Sequence, residues 1–207
     1  MKWNRCVDRG KEIFEMNDNR KERSVIFLDV DGVLNTRYAK ERCPGGAIIG
    51  VQQDLIKNLR HIIDETGAEV VLSSSWRICF KKKKNGNIRA NKDGRYLLSE
   101  LEKQGVSLSG MTPKTKKGAW YRGYEILTYL KYYPADHIVI LDDEDFDFDK
   151  QEIEGYHVKT DFYEEGLSKE KADDAIHILK TFSAENLKPV KEDGEEPPEI
   201  IHFGRDL

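Results

Sequence analysis

Four apolar residues, Val25 to Leu28, run directly into a carboxylate in the segment SVIFLDVDGVLN. Blocks of the same kind recur in AEVVLSS (68–74) and HIVILDD (137–143). Apolar runs of four or five residues with polar ends have the length of fully buried strands. Between them, VQQDLIKNLRHIIDETG sets Val51, Leu55, Leu59 and Ile62 at helical spacing, and Gly67 supplies a C-terminal stop. RYLLSELEKQG, ending at Gly105, and GYEILTYLKYY, closed off by Pro134, predict two more helices. HVKT (157–160) reads as a fourth strand and SKEKADDAIHILKTF as a last helix. Residues 35–50, with their glycines and proline, form a loop or flap, and KKKKNGNIRANKDG (81–94) a basic loop.

Short apolar strands alternating with amphipathic helices predict a mainly parallel sheet covered on both faces, an α/β doubly wound three-layer sandwich. The expected organisation is a polar, helical lead-in over 1–23, a domain over 24–184, and an acidic segment over 185–207. Two readings of that last segment stand open, a loosely ordered tail and a strip lying on the domain surface.

Composition narrows the classes. The 207 residues allow one domain with extensions, and the net charge of -4 nominates neither nucleic acid nor a membrane surface. No apolar run approaches the roughly 20 residues of a membrane span, and the charged N-terminus lacks the apolar segment of a secretory signal. Cys6, Cys43 and Cys79 are odd in number and widely spaced, which suggests neither a disulfide framework nor a zinc site. A reducing cytoplasm is the expected location.

The strand ends carry the chemistry. The first finishes in Asp29 and Asp31, the second in Ser73, Ser74 and Ser75, and the third in Asp142 and Asp143. Parallel strands would bring all of these to one edge of the sheet, where ligands bind in open α/β folds. Carboxylates so close would raise one another's pKa unless a cation neutralised them. Oxygen ligands without histidine or cysteine suit Mg2+. A calcium loop fits poorly. Asp143, Asp145, Asp147 and Glu154 fall at its first, third, fifth and twelfth positions, but Phe148 replaces the required glycine and a strand precedes the run. Glu144, Glu152 and Glu154 read as a solvated face.

FLDVDGVLN, VVLSSSW and IVILDD, in that order, resemble the haloacid dehalogenase-like (HAD) phosphohydrolase superfamily, over about residues 25 to 165. More closely, IFLDVDGVLN, TGAEVVLSSSWR and RGYEIL look like the HAD phosphatase domains grouped with bacterial RNA-repair proteins. The resemblance implies a HAD-like, Rossmannoid fold and an Mg2+-dependent phosphomonoesterase working through an aspartyl-phosphate. Asp29 would be the nucleophile and Asp31 the general acid and then base, with Gly32 turning the chain sharply after them. A serine at the second strand end would bind the phosphoryl group; Ser74 and Ser73 both remain open. For the cationic position the candidates are Lys114, Lys116, Lys117 and Arg122, with Arg122 the choice and Lys117 the alternative. Mg2+ would be held by Asp29, Asp31 through its backbone carbonyl, Asp142 and Asp143. Arg77 is a further candidate for phosphate, against the salt bridge that is the commoner fate of such a residue.

Neither interval between motifs is long enough for a folded cap domain, so the site is expected to lie open to large phosphorylated substrates such as nucleic-acid ends or phosphoproteins. Six cationic side chains between Lys81 and Lys92 would suit a phosphate backbone, or form an ordinary solvated loop. Tyr38 on the flap is one possible substrate contact, and Trp76 reads as a packing residue rather than a stacking platform. A phosphate-binding module without turnover and a phosphotransferase are the competing functions. Haloalkanoate hydrolysis is disfavoured by Asp31 and the acidic set.

Overall fold

The computed structural model describes residues 4–8, 11–15, 21–46, 49–84, 86–115, 118, 120–185, 187–188 and 200–203. Its central sheet is built on the three predicted apolar runs, now β3 (Ser24–Leu28), β4 (Glu69–Leu72) and β8 (His137–Asp142). β3 lies between the other two and is parallel to both. β7 (Leu108–Met111) extends the sheet beyond β4, and β9 (His157–Lys159) extends it beyond β8, both in parallel. The short β10 (Ile201–His202) closes one edge antiparallel to β7, giving the order β10-β7-β4-β3-β8-β9. Five parallel strands whose order reverses at β3 are the doubly wound arrangement that the alternation predicted.

The two-residue period of a strand explains why β3 is apolar throughout. Ile26 and Leu28 face a core shared with α1 (Gln53–Thr66), α2 (Lys92–Glu102) and α4 (Lys169–Thr181). Val25 and Phe27 face a second core built with α3 (Arg122–Tyr132). Gly67, with φ 67°, ends α1 as expected, its N–H donating to the Ile63 carbonyl.

Three expectations need correction. The lead-in, read as helical, carries an antiparallel hairpin of β1 (Asn4–Asp8) and β2 (Lys11–Glu15). The basic loop is also a hairpin, β5 (Phe80–Lys82) paired with β6 (Ile88–Ala90). β7 is a strand in a stretch, Leu108–Met111, for which the apolar pattern predicts none. Of the two readings of the C-terminal segment, residues 200–203 follow the second: Ile201 and His202 pair with Met111 and Gly110, and Phe203 packs edge-on against Phe80. Residues 189–199 lie outside the described residues.

Candidate active site

In-register pairing brings the strand ends together. Leu28 sits opposite Leu72 on one side and Leu141 on the other. The next residues continue the ladder: Asp29 N–H donates to Leu141 O at 2.9 Å and Ser73 N–H to Leu28 O at 2.8 Å. Asp29 and Asp142 therefore lie on the same edge, at the strand-order reversal between β3 and β8.

Asp29, Asp142 and Asp143 each offer a carboxylate oxygen, and these oxygens lie within 4.8 Å of one another. Burial raises the pKa of Asp29, an effect opposed chiefly by Arg122, then by hydrogen bonds from the Ser74 side chain and the Val30 backbone. Burial and then the Asp29 charge push Asp142 well above the ordinary carboxylate range. The same two causes raise Asp143 to about 6. All three shifts run toward the protonated form, the direction that a neighbouring cation would oppose.

Arg122 answers part of this charge. It opens α3, is buried, and places Nη1 2.9 Å from Asp142 Oδ2 and 3.7 Å from Asp29 Oδ1. The same nitrogen donates to the Ser73 carbonyl. Lys117 and Lys116 lie outside the described residues, and Lys114 is exposed. Of the described candidates for the cationic position, Arg122 is the one placed among the acids.

The serines divide their tasks. Ser74 hydrogen-bonds Asp29 and caps the following 3-10 turn (Ser75–Cys79) by accepting from Trp76 N–H. The Ser73 hydroxyl accepts from Thr112 Oγ1 at 3.3 Å, so its link to the site runs through its backbone carbonyl. Asp31 is held at both oxygens: Asn35 Nδ2 donates to Oδ1 and Trp76 Nε1 to Oδ2, each at 2.9 Å. Gly32, with φ 74°, follows, and a Cβ there would stand 2.3 Å from Asp143 Cγ. Only glycine meets both demands, the left-handed turn and the close carboxylate.

Arg77 is placed in a structural role. Its guanidinium is buried and donates to Ser74 O, Thr112 O and Oγ1, Pro113 O and Glu125 Oε2, the last a 2.7 Å ion pair. It ties the ends of β4 and β7 to α3 rather than offering free donors to phosphate.

Several site-building residues escaped the sequence reading. Asn35 and Trp76 orient Asp31. Asp147, assigned only to an acidic run, is buried and accepts from the N–H groups of Gly123 and Tyr124, capping α3 from outside the helix. Tyr121, at the position before α3, makes no side-chain cap. The distant cap fixes the end of the helix that carries Arg122, and no local motif announces it.

Residues 25–172 match the family model described as the HAD domain in Swiss Army Knife RNA repair proteins. The chain belongs to this family. Comparison with curated proteins returns no match. Membership carries a phosphohydrolase-type function at the family level. Among the described residues, no helix is long and apolar enough to cross a membrane.

The acidic set also fits the Mg2+ that HAD proteins generally use. Asp29 Oδ1 is buried with no hydrogen-bond partner, and Arg122 approaches it only to 3.7 Å, so a bound cation would satisfy an oxygen that the protein leaves short of partners. Three carboxylates and no histidine or cysteine make a hard-oxygen site. Asp29, Asp142 and Asp143 would hold the ion.

Proposed function

We propose that the protein is an Mg2+-dependent phosphomonoester hydrolase that works through an aspartyl-phosphate on Asp29, with phosphorylated nucleic-acid ends as the substrate class. The observation that carries this reading is the meeting of Asp29, Asp142, Asp143 and Arg122 around the orphaned Asp29 oxygen.

Bound Mg2+ would neutralise the acids and polarise a phosphoryl oxygen. The protein's own residues supply the rest. An Asp29 oxygen attacks phosphorus as the bond to the leaving oxygen breaks, and Asp31 gives that oxygen a proton. Asp31, now a carboxylate, takes a proton from the water that attacks phosphorus next. Inorganic phosphate departs and free Asp29 returns. Arg122 and the Ser74 hydroxyl offset the negative charge on the phosphoryl oxygens, where such positioned donors give their largest benefit. Among the described residues no folded cap covers the site, which suits a large substrate. The nucleic-acid assignment is supported by the family description and by the exposed lysines of the β5–β6 hairpin.

The test is metal-dependent release of phosphate from glycerol phosphate and from 3'- and 5'-phosphorylated oligonucleotides, with acid-quenched radiolabel trapped on the chain. Asp29→Asn should remove both turnover, by at least about a thousandfold, and the label. Turnover that survives this change would show that Asp29 is not the nucleophile.

A further inference from the structure

Trp120 is the most exposed large apolar side chain among the described residues, at 70%. Singly exposed apolar side chains are ordinary, and Trp120 is set apart by the aromatic contacts that link it to the acidic site. Its ring packs at a tilt on Phe146, with centroids 5.9 Å apart. Phe146 in turn lies under the Arg122 guanidinium, whose carbon is 4.6 Å from the ring centroid. A continuous line of contact thus joins the exposed indole to the cation facing Asp29.

The backbone holds this line deliberately. Phe146 has φ 42°, in the left-handed region that residues with side chains rarely adopt. Strained conformations persist where surrounding structure fixes them, and they concentrate at functional sites. Here Phe148, edge-on at 6.0 Å, and the Asp147 cap on α3 flank the strained residue. Both aromatic rings are anchored by site residues: Trp120 precedes Arg122 by two positions, and Phe146 follows Asp143 by three.

We propose that Trp120, backed by Phe146, is a stacking platform for an unpaired base at the end of a single-stranded nucleic acid whose phosphate enters the Asp29 site. This rests on the hydrolase reading above and narrows its substrate. Aromatic faces stack on any base, so the platform selects for an unpaired end and not for sequence. A base locked in a blunt duplex cannot offer its face. A phosphotyrosine ring could also stack, but a nucleic acid carries further phosphates, and the chain that leaves β4 offers them cations. The hairpin that begins at Phe80, just past the turn following Ser74, exposes Lys81, Lys82, Lys83, Lys84 and Arg89. A peptide with one phosphate has no use for that row.

The test compares wild type, Trp120→Ala and Trp120→Phe on six substrates. These are a 5'- and a 3'-phosphorylated single strand, the same strand with an abasic terminal residue, a blunt duplex, a phosphotyrosine peptide and glycerol phosphate. Trp120→Ala should lower kcat/KM for the normal single strands about 10-fold relative to glycerol phosphate, through KM. Trp120→Phe should recover most of that loss. The abasic strand should behave alike with all three proteins, and the duplex should be a poor substrate throughout. An equal loss on the normal and abasic strands would overturn the platform, as would a loss confined to the phosphopeptide. If wild type hydrolyses glycerol phosphate and Trp120→Ala spares the single strands, the platform fails while the hydrolase stands. If wild type hydrolyses nothing, the catalytic reading fails, and equilibrium binding of a labelled single strand decides the platform. About 10-fold weaker binding by Trp120→Ala then supports it, and equal binding ends it.

Discussion

The indole Nε1 of Trp76 donates to Asp31 Oδ2 at 2.9 Å from a ring that is 1% exposed. Asn35 Nδ2 occupies the other Asp31 oxygen at 2.9 Å, and Asn35 Oδ1 accepts from Gly32 N–H at 3.1 Å. The proton carrier assigned to Asp31 is thus held by one residue from the flap side and one from the turn after β4. A general acid must meet its leaving oxygen at hydrogen-bond distance, so orientation translates into rate. Asn35→Ala should lower kcat by about 10-fold or more with little change in KM. Steady-state kinetics on glycerol phosphate measures the split. A change confined to KM would mean that Asn35 serves substrate binding and not proton transfer.

Asp147 links the loop after β8 to the first turn of α3, and through it to Arg122. Its Oδ1 lies 2.6 Å from Gly123 N, and a Cβ at Gly123 would sit tightly against Gln151 Cγ at 3.0 Å and that oxygen at 3.1 Å. Removing a helix cap costs about 1 kcal/mol, which lowers Tm by roughly 2–4 °C in a chain of this size. Asp147→Ala should show that loss together with a fall in kcat, because the helix end that aims Arg122 is released. Asp147→Asn keeps an accepting oxygen and should recover both. Recovery of Tm without recovery of kcat would separate the cap from the positioning of Arg122.

What was legible in the chain followed from local pattern. Val25–Leu28, Val70–Leu72 and Ile138–Leu141 are uninterrupted apolar runs, and their polar ends meet on one edge because parallel pairing is in register. β7 escaped because LSGM is four residues long and its middle pair is serine and glycine, so neither length nor periodicity marks it. β5 escaped because two of its three residues are exposed lysines, a composition shared with solvated loops. The cap from Asp147 and the enclosure of Arg77 depend on residues more than 20 positions apart, which no spacing rule connects. Local chemistry named the acids, and tertiary packing supplied the groups that aim them.

The β5–β6 hairpin, which follows the turn after β4, carries a row of exposed lysines. If it tracks a nucleic-acid backbone, replacing Lys81, Lys82, Lys83 and Lys84 with alanine should weaken oligonucleotide binding and flatten its salt dependence. Each lost contact to a single-stranded phosphate reduces the slope of log K against log salt by about 0.7, so four contacts would remove nearly 3. Binding titrations across a series of salt concentrations give the slope directly. An unchanged slope would make the row a solvated surface, leaving the chemistry at Asp29 unaffected.

Asp143 connects the acidic cluster to pH. Burial, followed by the Asp29 charge, raises its pKa from the ordinary 3.8 to about 6. Between those values the folded chain keeps a proton that the unfolded chain has released. Stability supplied by this group is therefore complete below about 4 and is lost as pH rises through about 6. Cation binding requires the ionised carboxylates, so Mg2+ affinity should climb over the same interval, and binding should release protons. In chelator, Tm should decline across that window, and saturating Mg2+ should offset the decline at its upper end. His157 contributes the opposite slope, since burial lowers its pKa below 6.5 and its stabilisation is lost as pH falls. Comparing wild type with Asp143→Asn removes that background, because His157 is common to both. The variant should show a shallower decline in chelator and a weaker response to Mg2+. Identical pH profiles for the two proteins would mean that Asp143 neither carries the extra proton nor meets the cation.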